Sequence, residues 1–137
     1  MGIKQYKVGK SWEEEVMDYY VDKGFFVYKV PTMNSGTVFD IFVARRGACL
    51  MIECKHITGS KLYYKGCGLA KKEDEIEHFV KTTGNNVYIY VKSDTDGCFW
   101  TTWEHRKKML QTRGYITTKD MFKSDLRRYI KNENNTK

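Results

Sequence analysis

The chain has 137 residues, 41% of them apolar and 15% aromatic, enough for one compact domain with a real core and too few for two. Lys and Arg outnumber Asp and Glu by 24 to 17, a formal charge of +7, which points to a polyanionic partner, nucleic acid first, against the plainer reading of a lysine-rich solvated surface. No stretch approaches the roughly 18 apolar residues of a membrane span, and the start MGIKQYKVGK lacks the apolar middle of a secretory signal, so an intracellular protein without membrane association is expected, in cytoplasm or nucleoid.

Ser11 precedes Trp12, Val16, Tyr19 and Tyr20 at helical spacing, and Gly24 follows, which predicts an amphipathic helix over 12–23 with a Ser11–Glu14 capping box. Glu13 tilts toward the buried side of that helix, where a carboxylate needs a partner. Three strand-like runs come next, Phe25 to Val30, Val38 to Ala44 and Cys49 to Cys54, then a loop rich in Lys and Tyr and a helix over 69–82 with Leu69, Ile76, Phe79 and Val80 inward. Strands Val87 to Val91 and Cys98 to Trp103 flank the turn Ser93-Asp94-Thr95-Asp96-Gly97. A stripe of Phe122, Leu126, Tyr129 and Ile130 predicts a closing helix over 118–130, followed by the polar tail Lys131 to Lys137. The four cysteines form no Cys-x-x-Cys pair and the three histidines have no ligand spacing, so neither a zinc site nor a disulfide framework is indicated.

If the second and third strands form a hairpin turning at Arg46-Gly47, with Arg45 opposite Ala48, counting back sets Asp40 across from Glu53 on one face. Facing Cβ atoms lie about 5 Å apart, so two carboxylates there repel unless something positive joins them. Alternation adds Lys55 to that face. Hard divalent cations such as Mg²⁺ are commonly held by one or two carboxylates with water and substrate phosphate completing the shell. Asp40 and Glu53 suit that role, Lys55 can orient an attacking water and stabilise the transition state, and Glu13 can hold the ion's outer waters. The structural alternative is an ordinary cross-strand salt bridge among Asp40, Glu53 and Lys55 on a wet sheet face.

From Gly9 to Trp100 the chain resembles the archaeal-type Holliday junction resolvases of the PD-(D/E)xK nuclease superfamily. The likeness rests on Gly9, Glu13, Glu15, Gly24 and Phe25, on Lys29, Pro31, Ser35 and Gly36, and on Asp40-Ile41 followed by Ile52-Glu53-Cys54-Lys55. It extends through a tyrosine at Tyr63 or Tyr64, Phe79, Val91-Lys92 and Phe99-Trp100. The chain departs from the pattern at Phe39, where the superfamily has proline, at Lys29, where arginine is usual, and in a loop lengthened by Thr32-Met33-Asn34. The segment Asp74 to Phe79 also resembles RecU-type resolvases. Residues 104–137 are outside the likeness.

The resemblance implies an α/β, restriction-endonuclease-like fold, a central mixed β-sheet of about five strands flanked by α-helices in a single domain. It implies a catalytic set of Glu13, Asp40, Glu53, Lys55 and Ser35, and a metal held by Asp40, Glu53, Glu13 and the backbone carbonyl of Cys54. Mg²⁺ is the expected ion, with Mn²⁺ as a substitute. The expected activity is metal-dependent hydrolysis of DNA at four-way junctions by a homodimer. The alternatives are a related endonuclease of nicking, flap or restriction type and a non-catalytic DNA-binding relative. DNA contact is expected from Lys4, Lys7, Lys10, Lys29, Arg45, Arg46, Lys61, Tyr63, Lys65, Lys71 and Lys72, of which the lysines and arginines can neutralise phosphates without reading bases. Tyr63, Tyr64, Trp100 and Trp103 are a supply of exposed aromatics for a dimer interface, with core packing the competing use for the tryptophans.

Overall fold

The structure is a computed structural model that describes residues 11–31, 38–124 and 126. Helix α1 (Trp12–Asp22) starts from the expected capping box, with the Ser11 hydroxyl accepting the Glu14 N–H at 3.1 Å and the Glu14 carboxylate accepting the Ser11 N–H at 3.0 Å. Its apolar stripe Trp12, Val16 and Tyr20 is buried. Strands β1 (Phe26–Lys29), β2 (Ile41–Arg45) and β3 (Ala48–Ile57) form an antiparallel meander. The β2–β3 turn runs through Gly47 at φ +75°, a left-handed conformation that glycine adopts without a Cβ clash.

Beyond β3 the chain makes a short strand β4 (Lys61–Tyr63), a 3₁₀ turn at Ala70–Lys72 and helix α2 (Glu73–Thr83) before β5 (Val87–Ser93) pairs parallel to β3. β6 (Gly97–Thr102) returns antiparallel and leads into helix α3 (Trp103–Arg113), strand β7 (Tyr115–Thr117), a 3₁₀ turn at Thr118–Asp120 and strand β8 (Phe122–Lys123). Among the described residues these build a six-stranded mixed sheet, ordered β1-β2-β3-β5-β6-β8, and a separate β4–β7 ribbon. The expected mixed α/β architecture holds, with six strands in place of about five.

Both sheet faces are covered, which is why the central strands read as near-continuous apolar runs. On one face α1 packs with Ile41, Val43, Ile52 and Tyr90. On the other, Ile76 of α2 and Trp103 and Leu110 of α3 pack with Val87, Ile89 and Val91. None of the described helices is long and apolar enough to cross a membrane.

Two expectations are corrected. Residues 104–113, for which no element is expected, belong to α3, and Trp103 opens that helix instead of ending a strand. The helix expected over 118–130 is replaced at its start by a 3₁₀ turn and β8, because Phe122 pairs with Trp100 on the open edge of β6 and their rings lie 4.7 Å apart. Apart from Leu126, the remainder of that segment lies outside the described residues.

Candidate active site

The hairpin keeps the expected register from Arg45↔Ala48 to Ile41↔Ile52. The next residue, Asp40, stands at a bend just outside β2 and is not ladder-paired with Glu53. Its N–H donates to the Ile52 carbonyl at 2.9 Å, and its own carbonyl accepts the Val30 N–H at 2.9 Å. Because β2 has stopped, the amide of Cys54 lacks a ladder acceptor on that side, and the Asp40 carboxylate supplies one, Oδ2 accepting the Cys54 N–H at 2.8 Å. Asp40 is thereby aimed at the stretch of β3 that carries Glu53, Cys54 and Lys55.

Glu53 is only 1% exposed, a position that an acidic side chain tolerates only with partners. Its Oε2 accepts from the Lys72 ammonium at 2.7 Å and lies 3.0 Å from the Lys55 ammonium. Its Oε1 is equally buried and has no hydrogen-bond partner among the described residues. Burial pushes the Glu53 carboxyl above its ordinary range, the Asp40 charge adds to that, and Lys55 and Lys72 pull it back. Two cations meet one oxygen and none the other, while the Asp40 charge also acts on Glu53, and an additional positive charge between the two carboxylates would relieve both defects.

Lys55 is fixed from two sides, since its ammonium also donates to the Cys67 carbonyl at 2.7 Å. Cys54 sits between Glu53 and Lys55 with its side chain packed on the α1 face. Its thiol is pushed up chiefly by burial and then by the charges of Asp40, Glu13 and Glu53, so three carboxylates surround this one residue. Glu13 meets Lys29 at 3.1 Å. Among the described residues no group of three or more His, Cys, Asp and Glu side chains converges as a metal cluster. Two carboxylates suffice for an ion that keeps water and phosphate oxygens in its shell. The orphaned Glu53 oxygen beside Asp40 is therefore a fit for a hard cation.

Lys72 is the residue whose place here the sequence did not reveal. It was expected on a DNA-facing loop, yet its ammonium lies on Glu53. The sequence carried no signal of this, because the expected helix over 69–82 places Lys72 within a helix, whereas α2 begins at Glu73 with Lys72 at its N-cap position, where a cation opposes the helix dipole. The remaining basic residues are dispersed. Arg45 donates to the Lys23 carbonyl at 3.0 Å and lies over the Phe25 ring, whereas Arg46, Lys61, Lys65 and Lys71 are exposed. Ser35, Lys4, Lys7 and Lys10 lie outside the described residues. Of the aromatics expected at the surface, Tyr64 and Trp103 are instead buried and stacked on each other, with the Tyr64 hydroxyl on Glu73 and the Trp103 indole N–H on Glu77. Filling the α2–α3 core outweighs exposing them.

Among curated proteins none matches this sequence. One solved structure that it resembles is described as the 1.6 Å resolution structure of Archaeoglobus fulgidus Hjc, a Holliday junction resolvase from an archaeal hyperthermophile. That match has a TM-score of 0.52 at 17% sequence identity and covers 67% of this chain and 76% of the other, a likeness of fold. Over residues 4–136 the sequence matches the family described as archaeal Holliday junction resolvase (Hjc). The match spans nearly the whole chain, including the bend, hairpin and helix that assemble Asp40, Glu53, Lys55 and Lys72, and the chain therefore belongs to the archaeal Holliday junction resolvase family.

Proposed function

We propose that this chain, a nuclease by its family, is a Mg²⁺-dependent endonuclease that acts as a homodimer to nick paired strands of a four-way DNA junction. The observation that carries the metal is the buried, unpartnered Oε1 of Glu53 beside Asp40. Asp40, Glu53 and the Cys54 carbonyl would hold the ion, with Glu13 toward its outer waters and Mn²⁺ as a working substitute. When bound, such an ion makes water easier to deprotonate near neutral pH and offsets charge that builds on the scissile phosphate.

The chain's own residues supply the orientation. An ammonium has three N–H donors; Lys55 donates to the Cys67 carbonyl and forms an ion pair with Glu53. Its remaining donor capacity can hold a water or a phosphate oxygen in place. Lys72 neutralises Oε2 of Glu53 and leaves Oε1 for the cation. Glu13 keeps its place through Lys29. The exposed lysines and Arg46 neutralise phosphates of the arms. A two-fold dimer is the economical way to deliver two such sites to a two-fold junction.

The test is to incubate the purified protein with a four-way junction and with a linear duplex of the same arms, in Mg²⁺ or EDTA, beside Asp40→Asn. Metal-dependent nicking of the junction, lost in Asp40→Asn with binding retained, is the expected result. Cutting of duplex and junction at equal rates would instead assign the chain to another substrate.

A further inference from the structure

We propose that Tyr63 is a stacking platform for a nucleobase whose face is uncovered at the branch point of the DNA; the proposal rests on the junction-cleaving reading above. β4 and the residues just after it alternate, with Leu62 and Tyr64 buried while Lys61, Tyr63 and Lys65 are exposed. One face of β4 therefore presents Lys61 and Tyr63, and the exposed Lys65 follows in the turn. Tyr63 is 54% exposed, and a lone exposed tyrosine would mean little. This one is backed by a second ring, because β7 places Tyr115 opposite it with the ring centroids 5.9 Å apart. Tyr115 is itself clamped, with the Lys61 ammonium 4.8 Å and the Arg113 guanidinium 4.7 Å from its ring centroid; Arg113 also pairs with Asp120 at 3.2 Å.

Rings interleaved with Lys and Arg suit a nucleic-acid strand, the ring taking the face of a base and the cations taking phosphates. The platform is joined to the candidate active site through one residue. The Tyr63 carbonyl accepts the Cys67 N–H at 2.9 Å, and the Cys67 carbonyl accepts the Lys55 ammonium. Inside a linear duplex both faces of each base pair are covered by neighbours. Where four arms meet in an open junction, the pairs at the branch lose one neighbour and expose a face. A stacking ring thus favours a branch over a duplex without reading sequence.

The test measures binding of wild type, Tyr63→Ala and Tyr63→Phe by fluorescence anisotropy in EDTA, to a four-way junction and to a duplex, both with hairpin-closed ends so that no terminal base face is free. A parallel junction carries 2-aminopurine at the branch. Tyr63→Ala should bind the junction about tenfold more weakly, leave duplex binding unchanged and abolish the protein-dependent change in 2-aminopurine emission, while Tyr63→Phe behaves as wild type. Equal weakening on both substrates, or no change on either, overturns the platform if wild type still prefers the junction. Loss of that preference in wild type itself overturns the junction-cleaving reading, and the platform with it.

Discussion

Replacing Lys72 by methionine removes one of the two ammonium groups on Glu53 while retaining an aliphatic stem of similar length. Stripping a partner from a buried ion pair costs about 3–5 kcal/mol. Here Lys55 remains 3.0 Å from the same oxygen, and the Lys72 side chain is 22% exposed, so the loss should be roughly half, about 2 kcal/mol. With an unfolding entropy of about 2.1 cal/mol/K per residue, that is a fall in Tm of about 7 °C. Urea unfolding in EDTA, followed by tryptophan fluorescence, measures it. Combining Lys72→Met with Glu53→Gln should recover more than about 1 kcal/mol, because a neutral amide needs no counter-ion. A Lys72→Met protein within about 0.5 kcal/mol of wild type, or strict additivity in the double variant, would refute the pairing. Were Lys72 only a phosphate contact on a DNA-facing loop, stability would stay constant and the salt dependence of DNA binding would fall by about one counter-ion.

Mg²⁺ at about one hundred times its Kd should stabilise wild type by about 2.7 kcal/mol in thermal unfolding, and Asp40→Asn should show almost none of that shift. Lys55→Met should lower the cleavage rate at saturating Mg²⁺ by about 10²-fold or more, measured in single-turnover nicking, with junction affinity little changed. Trp103→Ala empties a fully buried site and should cost about 3–5 kcal/mol in urea unfolding, without altering Mg²⁺ binding by the protein that remains folded. Asp120 is held below the ordinary aspartate range first by the Thr117 N–H and further by the Thr117 hydroxyl and the Arg113 and Arg106 charges. Its contribution is therefore whole above the ordinary value of 3.8 and disappears as pH falls through the depressed folded value. The stability gap between wild type and Asp120→Asn should be open at pH 6 and narrow at acid pH.

The elements that could be read from the chain are those with strong periodicity or an explicit cap. The Ser11–Glu14 box, the Arg46-Gly47 turn and the alternation that puts Glu53 and Lys55 on one face are local events, each decided within a few residues. Helix α3 escaped because only Trp103 and Leu110 are fully buried along it, seven residues apart, too sparse a stripe to stand out. Its caps were visible all the same, since the Thr102 hydroxyl accepts the His105 N–H and Gly114 closes the helix in the left-handed region. The stripe from Phe122 to Ile130 misled for the opposite reason. Its periodicity suited a helix, but the open edge of β6 offered Phe122 a strand partner and an aromatic contact with Trp100, a contact no local pattern encodes.

The candidate site divides in the same way. Sequence by itself brought Glu53 and Lys55 together, because side-chain alternation follows from short-range geometry, and counting along the hairpin brought Asp40 to within one residue of the last paired position, Ile41↔Ile52. Only the tertiary structure decided that Asp40 leaves the ladder to bond the Cys54 amide and that Lys72 returns from the start of α2 to Glu53. It alone placed Tyr115, from a segment without a motif, against Tyr63, with Arg113 over the Tyr115 ring. Those contacts join residues 14 to 52 positions apart, and they form only when packing on both sheet faces has brought the crossover and the β4–β7 ribbon to the end of β3.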